Sequence, residues 1–223
     1  GALLTSGSVF ASKDYPAKNV ELIIPYAAGG GTDAVARSFA DTSRKYFKQN
    51  IIPVNKPGAS TSIGTAEVVN AKPDGYKIAL VTVEMTFLNS LGMSRFTHDN
   101  LVPIARLNYD PSAITVRADA PWKTIEEFLA AAKKSNGEIR VGNAGAGSIW
   151  NLTASALEDK AQVNCNQVPF QGAAPAVLAL LGGHIDAVAV SPAEVGTYVA
   201  AGKLRVLAVM ADKRIKEFEA VPT

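Results

Sequence analysis

The sequence predicts an α/β protein of two lobes, each a mostly parallel β-sheet flanked by helices. In residues 20–83, short apolar runs typical of buried strands alternate with longer amphipathic segments, in the order β-α-β-α-β. An irregular stretch follows at 84–100, and the same alternation resumes over 106–210. We therefore expect right-handed crossovers and a division into a first lobe at 14–105 and a second lobe at 106–210.

In the first lobe, strands are expected where apolar runs are short and helices where apolar residues recur every three or four positions. The turn at Pro73-Asp74-Gly75 separates the last helix from the last strand. In order, the elements are a strand at 20–25, a helix at 32–47, a strand at 51–54, a helix at 63–71 and a strand at 77–83. The inner face of the first helix is assigned to Val35, Ala36, Phe39, Ala40 and Phe47.

The second lobe is delimited by caps and glycines. Thr124 precedes an amphipathic helix and has Glu127 three residues later, which is the capping-box pattern. Gly137, Gly182 and Gly202 end three of the helices. The elements are strands at 113–116, 139–142, 164–169, 185–190 and 205–211, and helices at 124–135, 148–160, 172–181 and 193–201.

Composition excludes several classes of function. The 223 residues are 48% hydrophobic and 19% charged, which is ordinary for a soluble globular protein. The net charge of +2 and the scattered basic residues argue against a nucleic-acid partner. A single cysteine, Cys165, excludes an internal disulfide, and only His98 and His184 offer imidazoles, so no metal site or cofactor is predicted.

Residues 1–13 are interpreted as the remnant of a secretory signal peptide. Val9-x-Ala11 fits the small-residue cleavage rule, although the charged start of such a signal is absent. The alternative is a disordered leader. No run of about 18 apolar residues occurs, so no membrane span is expected, and the protein is assigned to the periplasm or another extracytoplasmic compartment.

Two loops of small residues are the main candidates for ligand binding. Gly29-Gly30-Gly31 follows the first strand and opens a helix that Thr32 or Asp33 can cap. Uncovered backbone N–H groups at a helix N-terminus bind anions. A similar loop ends at Ser148, and ligands of parallel sheets bind at the carboxyl ends of strands. These loops predict an anionic ligand held between the lobes.

Other polar and aromatic residues leave alternatives open. Glu84 and Glu194 lie in loops that are expected at the opening of the cleft. Each is either a solvated surface carboxylate or a group that faces the cleft and favours a ligand bearing an amine or a hydroxyl. Trp150 can stack on a ligand or pack between the lobes.

An enzyme is the competing hypothesis. Gly29-x-Gly31-x-x-Ala34 matches a dinucleotide fingerprint, but no carboxylate follows the next strand to hold a ribose. Ser148 lacks a Gly-x-Ser-x-Gly context and has no histidine nearby in sequence, which argues against a hydrolase. No catalytic residues are therefore predicted.

Several motifs follow one another along the chain. They include Ile24-Pro25-Tyr26-Ala27-Ala28-Gly29-Gly30-Gly31-Thr32-Asp33-Ala34, Val54-Asn55-Lys56-Pro57-Gly58-Ala59, Pro73-Asp74-Gly75-Tyr76, Gly172-Ala173-Ala174-Pro175-Ala176, Gly182-Gly183-x-Ile185-Asp186 and Val221-Pro222-Thr223. In these motifs and in their order, from about Asp14 to Thr223, the chain resembles the tripartite tricarboxylate transporter substrate-binding proteins, the TctC-like or Bug-type extracytoplasmic solute receptors.

The resemblance implies a two-lobed fold of the type II periplasmic-binding-protein kind. It implies a monomeric receptor that captures a small organic acid, whether a dicarboxylate, a tricarboxylate, an aromatic acid or an amino acid, for membrane permease subunits. A ligand-sensing domain of a signalling system is the alternative. The ligand-binding residues assigned from the loops and the resemblance are Tyr26, Ala28, Gly29, Gly30, Gly31, Thr32, Asp33, Ser60, Thr61, Glu84, Thr86, Gly145, Ala146, Gly147, Ser148, Trp150, Gln171, Gly172 and Ser191.

Several positions depart from the family pattern. Gln171 replaces a basic residue, and Ser191 replaces an acidic one. Trp150 or Asn151 lies where a histidine is usual, and Gly58-Ala59-Ser60-Thr61 replaces a Gly-Ala-Gly-Gly-like run. The family also continues beyond the Val-Pro-Thr motif. We therefore expect a first lobe that 211–223 complete only in part and that exposes apolar surface.

Overall fold

Two separate β-sheets form the framework of the computed structural model, which describes residues 15–223. The leader assigned to 1–13 lies outside these residues. In the described part of the chain, one sheet has three strands and the other has five. Within the same residues, no helix combines the length and the apolar character needed to cross a bilayer.

The first sheet is parallel throughout, as the β-α-β-α-β order predicts. Its strands run in the order β2-β1-β3, with Val20 opposite Ile51 and Glu21 opposite Lys77. A small core joins one face of the sheet to the first helix through Leu22, Ile24 and Ala36. The elements are β1 (Val20–Ile24), α1 (Gly31–Ser43), β2 (Ile51–Asn55), α2 (Ser62–Val69) and β3 (Lys77–Ala79).

The second sheet is mixed, because the strand that comes first in the chain, β4 (Ser112–Arg117), runs antiparallel to both of its neighbours. The strand order is β6-β5-β7-β4-β8, and the remaining pairs are parallel. Two large apolar clusters, which contain Leu180 and Phe128 respectively, form the core of this lobe. The elements are β4 (Ser112–Arg117), α3 (Ile125–Ser135), β5 (Arg140–Asn143), α4 (Ile149–Ala161), β6 (Asn166–Pro169), α5 (Ala173–Leu181), β7 (Ala187–Val190), α6 (Pro192–Ala200) and β8 (Leu204–Met210).

Two elements of the first lobe are shorter than the sequence predicts. Helix α1 ends at Ser43 and the chain continues as turns, so Phe47 lies beyond the helix and is exposed. Phe39 lies within α1 but is also exposed, because the buried face of the helix is formed by Asp33, Ala36, Ala40 and Ser43. Strand β3 ends at Ala79, where its pairing with β1 ends.

The segment after β8 packs on the second lobe. Val209 N–H donates to Pro222 O at 2.9 Å, and the side chains of Ile215, Phe218 and Val221 pack against the cluster that contains Leu180. The sequence predicted instead that 211–223 complete the first lobe in part. The amphipathic spacing of this segment does not show which sheet it covers.

Exposed large hydrophobic side chains lie mainly on the first lobe. In the described part of the chain, all of them except Leu178 fall between residues 15 and 109. Val102 and Ile104 of the first lobe are 88% and 81% exposed, and Tyr109, just past the predicted boundary between the lobes, is 86% exposed. This distribution agrees with the prediction that the first lobe exposes apolar surface.

The Thr124 cap gives a direct test of one sequence-predicted element. Its hydroxyl accepts the Glu127 N–H at 3.3 Å at the start of α3. We expect Thr124→Ala to lower the free energy of unfolding by about 1 kcal/mol, because the N–H loses its partner. Thr197→Ala, at an exposed site in α6, is the control and should change it by less than about 0.5 kcal/mol. Urea denaturation measures both, and equal effects would contradict the capping role.

Candidate functional site

The loops that follow the parallel strands of both sheets meet across a cleft that encloses a cavity of about 280 Å³. The loops after β1 and β2 line it from the first lobe, and those after β5 and β6 line it from the second. Among the residues that the sequence analysis assigned to ligand binding, the cavity brings together Tyr26, Ser60, Thr61, Gly145, Ala146 and Gln171.

The remaining lining residues were not assigned from the sequence. They are Pro25, Gly58, Ala59, Met93, Ala144, Pro169 and Phe170. All of these are small or apolar, so they carry no chemical pattern that marks a site. Except for Met93, they lie within two residues of an assigned residue, which is the sequence feature that could have indicated them.

The loop after β2 has an unusual backbone. Gly58, Ala59, Ser60 and Thr61 have φ values of 130°, 45°, 45° and 82°. Residues other than glycine rarely adopt a positive φ, and a β-branched threonine does so at a cost of about 1–3 kcal/mol. Such strain concentrates at ligand clamps. All four residues line the cavity, so this loop is a candidate contact surface for the ligand.

The glycine loop before α1 is braced by Asp33. Its buried carboxylate accepts the Gly29 N–H at 2.9 Å, the Arg37 Nε–H at 2.9 Å and the Asn55 Nδ2–H at 2.9 Å. Burial alone would raise the pKa of Asp33, but these hydrogen bonds lower it overall. The N-cap of α1 is Gly30, so the prediction that Thr32 or Asp33 caps the helix is wrong. Asp33 holds the preceding loop instead.

A carboxylate of the second lobe reaches the start of α1. Glu194 Oε1 accepts the Gly31 N–H at 3.1 Å, and its Oε2 accepts the Ser191 N–H at 3.1 Å within the capping box of α6. Ser191 also caps Ala193 N–H and donates to the carboxylate of Asp110. Burial raises the pKa of Glu194 to about 7, and the charges of Asp110 and Glu84 add to the rise.

The reciprocal contact runs from the first lobe to the start of α4. Glu84 is fully buried, and its Oε1 accepts the Ile149 N–H at 2.9 Å. Its Oε2 accepts the Thr82 hydroxyl at 2.5 Å, and that hydroxyl lies 3.1 Å from the Tyr26 hydroxyl. Burial, together with the Glu84 charge, raises the pKa of Tyr26 well above 10. Glu84 is therefore a lobe-to-lobe contact and not a solvated surface carboxylate.

In the second glycine loop, backbone N–H groups donate hydrogen bonds to neighbouring asparagine side chains. Gly145 N–H donates to Asn143 Oδ1 at 3.0 Å, and Gly147 N–H donates to Asn151 Oδ1 at 2.9 Å. Ser148 is buried and caps α4 by accepting the Asn151 N–H at 3.2 Å, as its position predicts.

The prediction that glycine amides stay free for a ligand is therefore wrong for Gly29, Gly31, Gly145 and Gly147. Each donates to a side chain of this chain instead. The physical reason is that a buried amide without a partner is costly. In this structure, carboxylate and amide side chains supply those partners.

Other assigned residues lie outside the cavity lining. Thr86 is exposed and donates to Val83 O at 2.7 Å, whereas Trp150 packs against the apolar cluster of the second lobe. Gly172 precedes α5 with φ 132°, and a Cβ there would lie 3.5 Å from Ala27 N. Ala28, Gly30 and Thr32 belong to the loop and helix start that face α5 and α6. Among residues 15–223, no cluster of three metal-ligating side chains occurs.

Comparison with known proteins supports one family. A family model described as the tripartite tricarboxylate transporter family receptor matches residues 35–223. A relative from Cupriavidus necator, named UPF0065 protein in gbd 5'region, is 35% identical over 94% of this chain and 64% of its own length. This chain therefore spans just under two thirds of that relative.

Solved structures agree with the family model. A ligand-free TctC solute-binding protein from Polaromonas is 59% identical with a TM-score of 0.64, over 94% of this chain and 72% of that one. MatC from Rhodopseudomonas palustris, with bound malate, is 26% identical with a TM-score of 0.85, over 94% of this chain and 72% of MatC. The fold is that of periplasmic binding proteins, and the chain belongs to the tripartite tricarboxylate transporter receptor family.

Proposed function

We propose that the chain is a monomeric periplasmic receptor that captures a small organic carboxylate in the cleft and presents it to membrane permease subunits, without catalysis. Members of its family are periplasmic solute-binding receptors. The observation that carries the proposal is a cavity of about 280 Å³ enclosed between two lobes that contact each other through hydrogen bonds.

The cross-lobe contacts support a hinged closure. Besides the Glu194–Gly31 and Glu84–Ile149 contacts, Ala27 N–H donates to Gln171 O at 3.3 Å. The Ser60 hydroxyl donates to Ala146 O. These bonds exist only while the lobes are close, so a ligand that touches both lobes favours the closed state through its differential affinity.

The structural comparisons support the same motion. The 59% identical Polaromonas protein, solved without ligand, superposes less well than malate-bound MatC at 26% identity, with TM-scores of 0.64 and 0.85. If sequence divergence set the TM-scores, the 59% identical protein would have the higher score. A different angle between two rigid lobes lowers a global superposition while leaving each lobe unchanged, so the order favours a hinge.

Neutral donors are proposed to bind the carboxylate. The exposed Gln171 side chain lies at the cavity and makes no hydrogen bond within the described residues. The strained backbone of residues 58–61 lines the same cavity, and strain of this kind concentrates at ligand clamps. Hydrogen bonds to an ionised acceptor are about twice as strong as neutral ones, so a full ion pair is not required. MatC, which has malate bound, supports an acid as ligand.

Thermal shift and calorimetry with small carboxylic acids and their primary amides test the proposal. At a concentration near 100 Kd, a bound acid should stabilise the folded protein by about 2.7 kcal/mol, whereas the matched amide should not. Native mass spectrometry of the freshly purified protein is the parallel measurement, with a retained acid as the expected result. Equal shifts with acids and amides, or no shift with any acid, would refute the proposal.

A further inference from the structure

The cavity lining carries no formal charge. Among the described residues, every side chain that lines it is apolar or neutral, and Tyr26, Ser60, Thr61 and Gln171 supply its polar groups. Phe170 and Met93 belong to its apolar part. Such a lining offers hydrogen bonds for one carboxylate and apolar contact for the rest of a ligand.

The charges closest behind this lining are negative. Glu84 accepts the Thr82 hydroxyl at 2.5 Å, and that hydroxyl lies 3.1 Å from the Tyr26 hydroxyl. Burial raises the pKa of Tyr26, and the charges of Glu84 and Glu194 add to the rise. A second anionic group on the ligand would therefore be repelled, not neutralised.

Two cations close to the lining, Arg37 and Lys56, are already paired. Arg37 lies 2.9 Å from Asp33, and Lys56 lies 3.3 Å from Glu67. Neither residue lines the cavity. A second carboxylate on the ligand would be buried without a partner, at an effective cost of several kcal/mol.

We infer, on the basis of the proposed function, that the cleft takes compact monocarboxylates whose remaining part is uncharged and largely apolar, and discriminates against di- and tricarboxylates. The cavity volume of about 280 Å³ is slightly smaller than that of most small-molecule pockets, which measure about 300–1,000 Å³. It suits an acid with a short branched chain or a single aromatic ring.

Calorimetry with acids that share a carbon skeleton tests this inference. Butanoate is compared with butanedioate, and benzoate with benzene-1,4-dicarboxylate, at pH 8. We expect the monoacid of at least one pair to bind at least about tenfold more tightly than its diacid. Equal or tighter binding of the diacids would overturn the inference and leave the receptor function standing. Binding of no acid at all would overturn the receptor function, and the inference with it.

A charge introduced at the cavity should reverse the preference. Gln171→Arg places a guanidinium at the lining, where it can pair with a second carboxylate, and should raise the affinity for the diacids at least about tenfold. Thr197→Arg adds the same charge at an exposed site outside the lining and should leave the preference unchanged. An equal gain in both variants, or no gain with Gln171→Arg, would contradict the assignment of this neutral lining as the selective feature.

Discussion

Gly31→Val is expected to weaken ligand binding by roughly 10–100-fold. A Cβ at Gly31 would lie 3.0 Å from Glu194 Cγ and 3.1 Å from its Oε1, so a branched side chain forces the carboxylate away from the start of α1. The lost cross-lobe hydrogen bond involves a charged group, whose contribution is about 1.5–3 kcal/mol. Calorimetry gives the affinity, and small-angle X-ray scattering shows whether the lobes still approach when ligand is added.

Gly196→Val is the matched control for that experiment. Gly196 lies within α6, and a Cβ there meets no atom within 4 Å among the described residues. The control should retain wild-type affinity and ligand-induced compaction. Neither glycine has a positive φ, so both variants should keep the circular dichroism spectrum of the wild type. Wild-type affinity and compaction in Gly31→Val would show that the Glu194 contact does not hold the closed state.

The order of elements could be read from the sequence because local chemistry sets it. Short β-branched runs, the Thr124 cap and the glycines at helix ends all act within a few residues of their position. The antiparallel insertion of β4 and the packing of Phe218 on the second lobe depend on partners distant in sequence. No local pattern specifies such partners, so neither the antiparallel pairing of β4 nor the packing of Phe218 was predicted from the sequence.

The site shows the same division between local and distant partners. Asn143, Asp33 and Asn151 lie two or four residues from the glycines whose amides they accept, a spacing typical of side chains that satisfy a nearby backbone. That local pattern could have been recognised. Glu194 is 163 residues from Gly31, so the contact between them appears only when the two lobes are brought together.

Ligand affinity is expected to rise as the pH falls, because closure buries Glu194. Burial raises the pKa of this carboxyl from 4.5 to about 7. We expect opening of the cleft to expose Glu194 to solvent and to return its pKa toward 4.5, so that the closed state binds a proton more tightly than the open state. Protonation of Glu194 therefore contributes free energy to closure. This contribution is fully present below about pH 4.5 and is lost as the pH rises through about 7. Asp110, Glu84 and Tyr26 are the other titratable groups near Glu194.

Calorimetry at pH 5.5 and pH 8 with a benzoate-type ligand, which stays largely ionised over this range, measures the effect. After allowance for the partial exposure of Glu194, we expect roughly tenfold tighter binding at pH 5.5. Glu194→Gln removes the titrating group while keeping an oxygen that can accept the Gly31 N–H, so it should flatten most of the pH dependence. Glu217→Gln, at an exposed site, should leave the profile unchanged. A wild-type affinity that is constant between the two pH values, or a slope that survives in Glu194→Gln, would show that closure does not protonate this carboxyl.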